Sequence, residues 1–296
     1  MSEGSFPKNV AFIGTGLMGE PMAMNILKKG FPVVVYNRTR DKTRELVKQG
    51  ARLAKSPLEA AREAEVIILM VSNIEAVHDV LSGEGGVLST LGKGKVFINM
   101  STITPDASRE FSATVEATGA KALEAPVIGT TTVANKGELT IVVGGDPRVL
   151  DEVREVFQAM GKYIFHVGDF GSACGMKLVV NHFIAGMIAI LAEGVNLSEK
   201  LGIDRSAFSN IINSSAVKSP VYELRAPKML ASDYAPQFPT RLMVKDLNYI
   251  TQTAEKVGAI MPVHSLVRDL YSLVSSYGYS EDDFAVIYEL FKNPRS

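Results

Sequence analysis

In the first half of the chain, short β-rich runs fall at residues 10–13, 32–36, 66–70, 95–100, 121–124, 139–143 and 163–167. Helix signals lie between these runs, and that alternation is the signature of a parallel, doubly wound sheet. The stretch 17–29 closes on Gly30. Ser56-Pro57 with Glu59 has the form of a capping box, and Thr104-Pro105 and Asp146-Pro147 set a cap residue ahead of a first-turn proline. From Gly171 onward the spacing becomes helical, with predicted helices at 172–200, 205–214, 241–257, 262–276 and 284–291. The expected architecture is α/β: a Rossmann-type doubly wound sheet over residues 1–167, followed by an all-α second domain over 168–296. The helix 172–200 would be about 40 Å long at about 1.5 Å per residue, enough to join the two. There are no internal repeats or low-complexity segments.

The first strand-to-helix junction carries Gly14-Thr15-Gly16-Leu17-Met18-Gly19. In a dinucleotide-binding turn the first glycine permits the tight turn and the second lets a pyrophosphate approach the backbone. The third lets helix and strand pack, so that phosphate charge meets N–H groups at a helix N-terminus. The second strand ends in Asn37-Arg38-Thr39, where an NAD-binding chain usually carries an acidic residue for the ribose 2′-hydroxyl. An arginine there suits a 2′-phosphate. The expected cofactor is therefore NADP(H), with NAD(H) as the alternative.

The 296 residues suit two domains, and 46% hydrophobic with 21% charged residues is an ordinary globular balance. A formal net charge of −1 gives no general attraction to nucleic acid or acidic membranes. Cys174 is the single cysteine, so there is no internal disulfide framework, and residues 1–9 lack the apolar core of a signal peptide. These features predict a cytoplasmic location. The most apolar stretch, 183–192, is expected to be a buried helix, too short to span a bilayer. His78, His166, His182 and His264 lack ligand spacing, so no metal site is expected.

Lys177 and Asn181 lie four residues apart in the predicted long helix and so share a face. A lysine in the first turns of a helix is usually a snorkelling surface residue. Beside apolar Leu178, Val179 and Val180, and next to a nicotinamide fold, Lys177 becomes a candidate proton donor instead. Partial desolvation would lower its pKa toward neutrality. Ser101 has no His and Asp partners for a nucleophilic triad, and its place after a strand suits contact with a cofactor or with a substrate beside it.

Several separate motifs, in order, resemble the β-hydroxyacid dehydrogenases, the 3-hydroxyisobutyrate dehydrogenase relatives. They are Gly14 through Asn25, Ser101-Thr102 with Pro105, Ala125-Pro126-Val127 with Gly129, and Ala134 through Gly145. The stretch from Gly171 to Asn181 and the run from Phe238 through Lys245-Asp246-Leu247 complete the set. The resemblance implies that Lys177 is the catalytic lysine and that Asn181 holds substrate beside it. It also implies that Val71-Ser72 and Thr102 line the cofactor and that Lys245 reaches toward it. Without the resemblance, Lys245-Asp246 would read as a solvated helix pair. The stretch Glu124 through Thr132 departs from the family pattern. Ile128 replaces a serine that helps bind substrate carboxylate, which leaves the Gly129 backbone and the hydroxyl of Thr130 or Thr131 to do so. The substrate set is thus Asn181, Gly129, Thr130 and Ser101.

The resemblance implies an NADP-dependent oxidoreductase moving a hydride between nicotinamide and a small hydroxy acid or carboxylated aldehyde, with Lys177 as general acid/base. The alternative on the same scaffold is a glyoxylate or succinic semialdehyde reductase. A non-catalytic dinucleotide-fold module is a rival from another class. A 6-phosphogluconate dehydrogenase would need a phosphate-binding basic cluster and a longer helical domain. The expected partner is a small molecule, in a homo-oligomer, with neither nucleic acid nor membrane.

Overall fold

The computed structural model describes residues 8–292. The chain divides into two compact units, with the boundary between Lys177 and Leu178.

In the first unit, nine strands form one sheet: β1 (Val10–Ile13), β2 (Val33–Tyr36), β3 (Arg52–Leu53), β4 (Val66–Leu69), β5 (Val96–Asn99), β6 (Lys121–Glu124), β7 (Val127–Ile128), β8 (Leu139–Gly144) and β9 (Gly161–Gly168). Their order is β3-β2-β1-β4-β5-β6-β8-β7, with β9 also paired to β8. The stretch β3 to β6 is parallel and has the dinucleotide-fold order, reversing direction between β1 and β4. Alternate residues explain the unbroken apolar runs. Val10 and Phe12 of β1 enter a core with Met22, Ile26, Val153 and Phe157, while Ala11 and Ile13 enter the opposite core with Val77, Leu81, Phe111 and Val115. Both faces of the sheet are covered, so both residue parities must be apolar.

The sheet is not parallel throughout, as the strand pattern predicts. β8 runs antiparallel to β6 and β7. The chain between β7 and β8 holds only the five-residue helix Thr131–Asn135, too short for a crossover that would return it parallel. β3 and β7, two residues each, carry too little periodicity to predict, as do the five-residue helices Arg44–Lys48 and Thr131–Asn135, and two longer helices also escape the sequence pattern. Ile74–Ser82 is capped by Asn73 Oδ1, which accepts the Ala76 N–H at 3.0 Å. Pro220–Ala231 contains Pro227, which reads as a helix breaker. The three predicted caps form. At the first of them, Ser56 Oγ accepts the Glu59 N–H, but the Glu59 carboxylate takes the Lys55 N–H rather than that of Ser56.

The second unit is helical: the long helix Ser172–Lys200 continues into it, followed by Arg205–Asn213, Pro220–Ala231, Thr240–Val257 and Pro262–Val274. The predicted helix 284–291 is instead a 3₁₀ turn, Phe284–Tyr288, running into the short helix Glu289–Lys292. Asp283, fully buried, explains that start. It accepts N–H groups of Gln237, Phe238 and Ala285 and pairs with buried Arg225 at 3.4 Å.

Candidate active site

The geometry at the three glycines differs at each one in the way a dinucleotide turn requires. Gly14 has φ +98, and a Cβ there would lie 2.1 Å from the Met70 carbonyl oxygen at the end of β4. A Cβ on Gly19 would lie 1.9 Å from Gly14 O, so close helix-to-turn packing needs hydrogen in both places. A Cβ on Gly16 would meet nothing within 4 Å, leaving the backbone open. No side chain caps the helix Gly19–Lys28 that begins there. An open backbone at an uncapped helix N-terminus fits a pyrophosphate. Asn37 sits half-buried at the end of β2 and braces the turn, its Oδ1 accepting the Thr15 N–H at 3.0 Å and its Nδ2 donating to Thr39 O at 2.9 Å. Arg38 stands exposed beside it with no ion-pair partner among the described residues.

The carboxyl ends of β1, β4 and β5 lie side by side, with Ile13 opposite Leu69 and Leu69 opposite Asn99. Val71-Ser72 and Ser101-Thr102 therefore leave the sheet at the same edge as the glycine turn, the ligand-binding edge of such sheets. Ser101 is fully buried. Its hydroxyl accepts the Val71 N–H at 2.9 Å, and its own N–H donates to Asn99 Oδ1 at 3.0 Å, tying the two loops together. Gly129 has φ +147, a conformation side chains rarely adopt. Thr130 Oγ1 caps the next short helix by accepting the Val133 N–H, which leaves its own proton to donate.

Lys177 stands half-buried in the second turn of the helix Ser172–Lys200. The start of that helix is fixed by Glu124, which is fully buried at the end of β6. Its carboxylate accepts N–H groups from Gly171 (2.8 Å), Ala173 (2.6 Å) and Cys174 (3.2 Å), and the Ser108 hydroxyl as well. A carboxylate there is doubly favourable, because it satisfies orphan amides and opposes the positive end of the helix dipole. Burial, reinforced by the Glu124 charge, pushes the Cys174 thiol well above its ordinary value. The apolar sequence neighbours of Lys177 do not all surround it: Leu178 is buried, but Val179 is 47% exposed. Residues one and two apart on a helix point to different faces.

Residues 9–168 match the family model described as the NAD binding domain of 6-phosphogluconate dehydrogenase, and residues 171–291 match that described as NAD-binding of NADP-dependent 3-hydroxyisobutyrate dehydrogenase. The chain belongs to the β-hydroxyacid dehydrogenase family. It is 34% identical, over 97% of its length and 80% of the relative's, to glyoxylate/succinic semialdehyde reductase 2, chloroplastic, of Arabidopsis thaliana. It is 33% identical to glyoxylate/succinic semialdehyde reductase 1 of the same plant, over 97% of this chain and 99% of that one. The structure of Mycobacterium tuberculosis 3-hydroxyisobutyrate dehydrogenase with L-serine superposes with TM-score 0.88 at 28% identity, covering 97% of this chain and 100% of that one. Like its family, the chain is an NAD(P)-dependent oxidoreductase acting on CH–OH groups.

In the second unit of this dehydrogenase, Asn181 is buried and its Nδ2 donates to Asp246 Oδ2 at 2.6 Å. The other carboxylate oxygen faces Lys245 Nζ at 3.1 Å, and the same ammonium lies 5.2 Å from the centre of the Tyr249 ring. Lys245-Asp246 is thus no solvated pair: the Asp246 side chain is 2% exposed. Sequence reasoning gave neither Asp246 nor Glu124 a role. A signal for Asp246 was present, since it shares the buried stripe Met243, Leu247 and Ile250 of the helix Thr240–Val257, where an acidic residue is out of place. Glu124, at the end of an apolar strand, carried no such signal. Next to this network, His182 and His264 meet edge to face with ring centroids 5.4 Å apart. Burial lowers the pKa of both, and for His264 the His182 ring adds to the effect.

Proposed function

We propose that this chain uses NADPH to reduce a short carboxylated aldehyde of the glyoxylate or succinic semialdehyde type, and in reverse oxidises the corresponding small hydroxy acid. The observation that carries the reading is the open Gly16 backbone between two glycines that tolerate no side chain, with exposed Arg38 beside it. Gly14, Thr15, Gly16, Leu17, Met18 and Gly19 would receive the pyrophosphate, and Asn37, Arg38 and Thr39 the ribose 2′-phosphate. Val71, Ser72, Thr102 and Lys245 would line the rest of the cofactor. When bound, the nicotinamide supplies the hydride. Lys177 Nζ holds the proton that the substrate oxygen takes up, and in the oxidative direction the neutral amine takes it back. Asn181 has its amide fixed by Asp246 and orients that oxygen. Gly129 N–H and the Thr130 hydroxyl hold the carboxylate in place of the serine that Ile128 replaces, and Ser101 keeps the β4 and β5 loops in register beside it.

The reductase direction is favoured over 3-hydroxyisobutyrate oxidation because the relatives at 34% and 33% identity are named as reductases of these aldehydes. The same reading makes the protein a cytoplasmic homo-oligomer whose partner is a small molecule and not nucleic acid or membrane. Initial rates for glyoxylate and succinic semialdehyde with NADPH and NADH, and for 3-hydroxyisobutyrate with NADP⁺, test it. The expected result is the highest kcat/KM for a carboxylated aldehyde with NADPH. Equal values for the two reduced cofactors would remove the 2′-phosphate assignment, and no turnover of any carboxylated compound would remove the function.

A further inference from the structure

Asn25 stands half-buried in the helix Gly19–Lys28, and its Nδ2 donates to the Ala134 carbonyl oxygen at 2.7 Å, across 109 positions of sequence. Met18 and Met22, seven and three residues earlier, share its face, and both pack into the same apolar core. An amide on such a face costs desolvation unless it is bonded, so packing alone would favour a leucine there. Gly137 makes room for the approach. Its φ is +69, and a Cβ there would lie 3.0 Å from Ala159 O and 3.6 Å from Asn25 Nδ2.

The segment that receives this bond runs from the end of β7 to the start of β8. Of its short helix Thr131–Asn135 only Ala134 is buried. Most of its hydrogen bonds are local. Thr130 Oγ1 and Thr130 O accept the Val133 and Ala134 N–H groups, and the Gly137 and Glu138 N–H groups return to Ala134 O and Val133 O. Such bonds give the segment its shape, but they do not place it against the glycine turn. The Asn25 amide does. Asn25 lies six residues beyond Gly19, about 9 Å along one helix axis, so the pyrophosphate turn and the segment 129–138 take their places from a single element.

We propose that Asn25 is a positioning residue for the substrate carboxylate: through Ala134 it holds the Gly129 N–H and the Thr130 hydroxyl in register with a cofactor bound at the start of its own helix. The proposal rests on the carboxylate assignment in the reading above and adds what keeps that site in place. Ala134 O retains the Gly137 N–H at 3.0 Å when the amide is removed, so substitution orphans no buried acceptor. Asn25→Leu keeps the volume and deletes the donor, whereas Asn25→Asp sets a carboxylate against the Ala134 carbonyl. Steady-state kinetics of the full chain with succinic semialdehyde and with its uncharged methyl ester, read beside NADPH affinity by fluorescence titration, test it. In Asn25→Leu the KM for succinic semialdehyde should rise about 3 to 10-fold, the range for one neutral hydrogen bond, and in Asn25→Asp it should rise further. The KM for the ester and the Kd for NADPH should stay within about 2-fold. In hydrogen–deuterium exchange, peptides covering 129–138 should exchange faster in both variants while those covering 10–13 keep the wild-type rate. A KM for the semialdehyde that rises in Thr130→Val but not in either Asn25 variant would overturn the proposal and leave the carboxylate assignment standing. Equal losses for the semialdehyde, the ester and NADPH, or unchanged exchange over 129–138, would make Asn25 a packing residue and overturn the proposal as well. Wild-type KM values that do not separate the semialdehyde from its ester, and that Thr130→Val does not move, would overturn the carboxylate assignment itself.

Discussion

Two completely buried carboxylates, one in each unit, are solvated by the protein in opposite ways. Glu124, in the sheet unit, is saturated by three backbone N–H groups and a hydroxyl. Asp246, in the helical unit, has only side-chain partners among the described residues: the Asn181 amide and the Lys245 ammonium. Backbone donors cannot leave, so Glu124 fixes a helix start. Side-chain donors can reorient or be shared, so Asp246 governs two groups that the family resemblance brings to the ligand. In this chain the carboxylate satisfied by main chain serves architecture, and the one satisfied by side chains is placed to position them.

Substitutions sharpen this contrast. The largest expected effect is at Lys177: Lys177→Ala should lower kcat by about 10² to 10⁴-fold with cofactor affinity little changed, and near-normal turnover would take the lysine out of the reaction. Glu124→Ala leaves three buried amides without an acceptor, at about 1 to 3 kcal/mol each. Chemical denaturation should show a loss on the order of 3 kcal/mol or more, and an unchanged midpoint would mean that the helix start does not depend on Glu124. Asp246→Asn should preserve the fold better, because two neutral amides can still face each other. Releasing the orientation of Asn181 and the Lys245 charge should cost about 10 to 150-fold in kcat/KM, the range for a hydrogen bond to a charged group. A purely thermal effect with full activity would assign Asp246 to packing alone.

Smaller effects are expected farther from the carboxylates. Arg38→Ala should lower kcat/KM for NADPH by about 10-fold or more while leaving NADH within about 3-fold, as expected on losing a charge-assisted bond to a 2′-phosphate. Equal losses for both cofactors would mean that Arg38 does not read that phosphate. The mildest effect concerns the His182–His264 pair. Burial lowers both histidines in the folded state, so below about pH 6.5 the unfolded chain takes up protons that the folded chain does not. The stability they contribute is complete above that pH and is lost as pH falls. The thermal midpoint should drop between about pH 7 and 5, less steeply in His182→Gln; identical slopes would clear the pair of that role.

Whatever depends on neighbours along the chain was legible in the residues themselves. Unbroken apolar runs encode strands covered on both faces, cap residues encode helix starts, and the glycine spacing encodes a turn whose conformation is fixed within six residues. Lys177 and Asn181 were legible together because helical periodicity alone puts them on one face. The rest came from the folded packing, which brings together residues far apart in sequence. Asp246 reaches Asn181 across 65 positions, and Glu124 reaches Gly171 across 47. The antiparallel run of β8 follows from a connection too short to cross over, which no strand's own composition records. The apolar stretch 183–192 shows the same division. Its composition predicts a buried helix too short to span a bilayer, but the whole helix Ser172–Lys200 is long and apolar enough to do so. Phe183 and Ile190 are 63% and 61% exposed, because burial depends on the residues that pack against a helix and not on its own hydropathy.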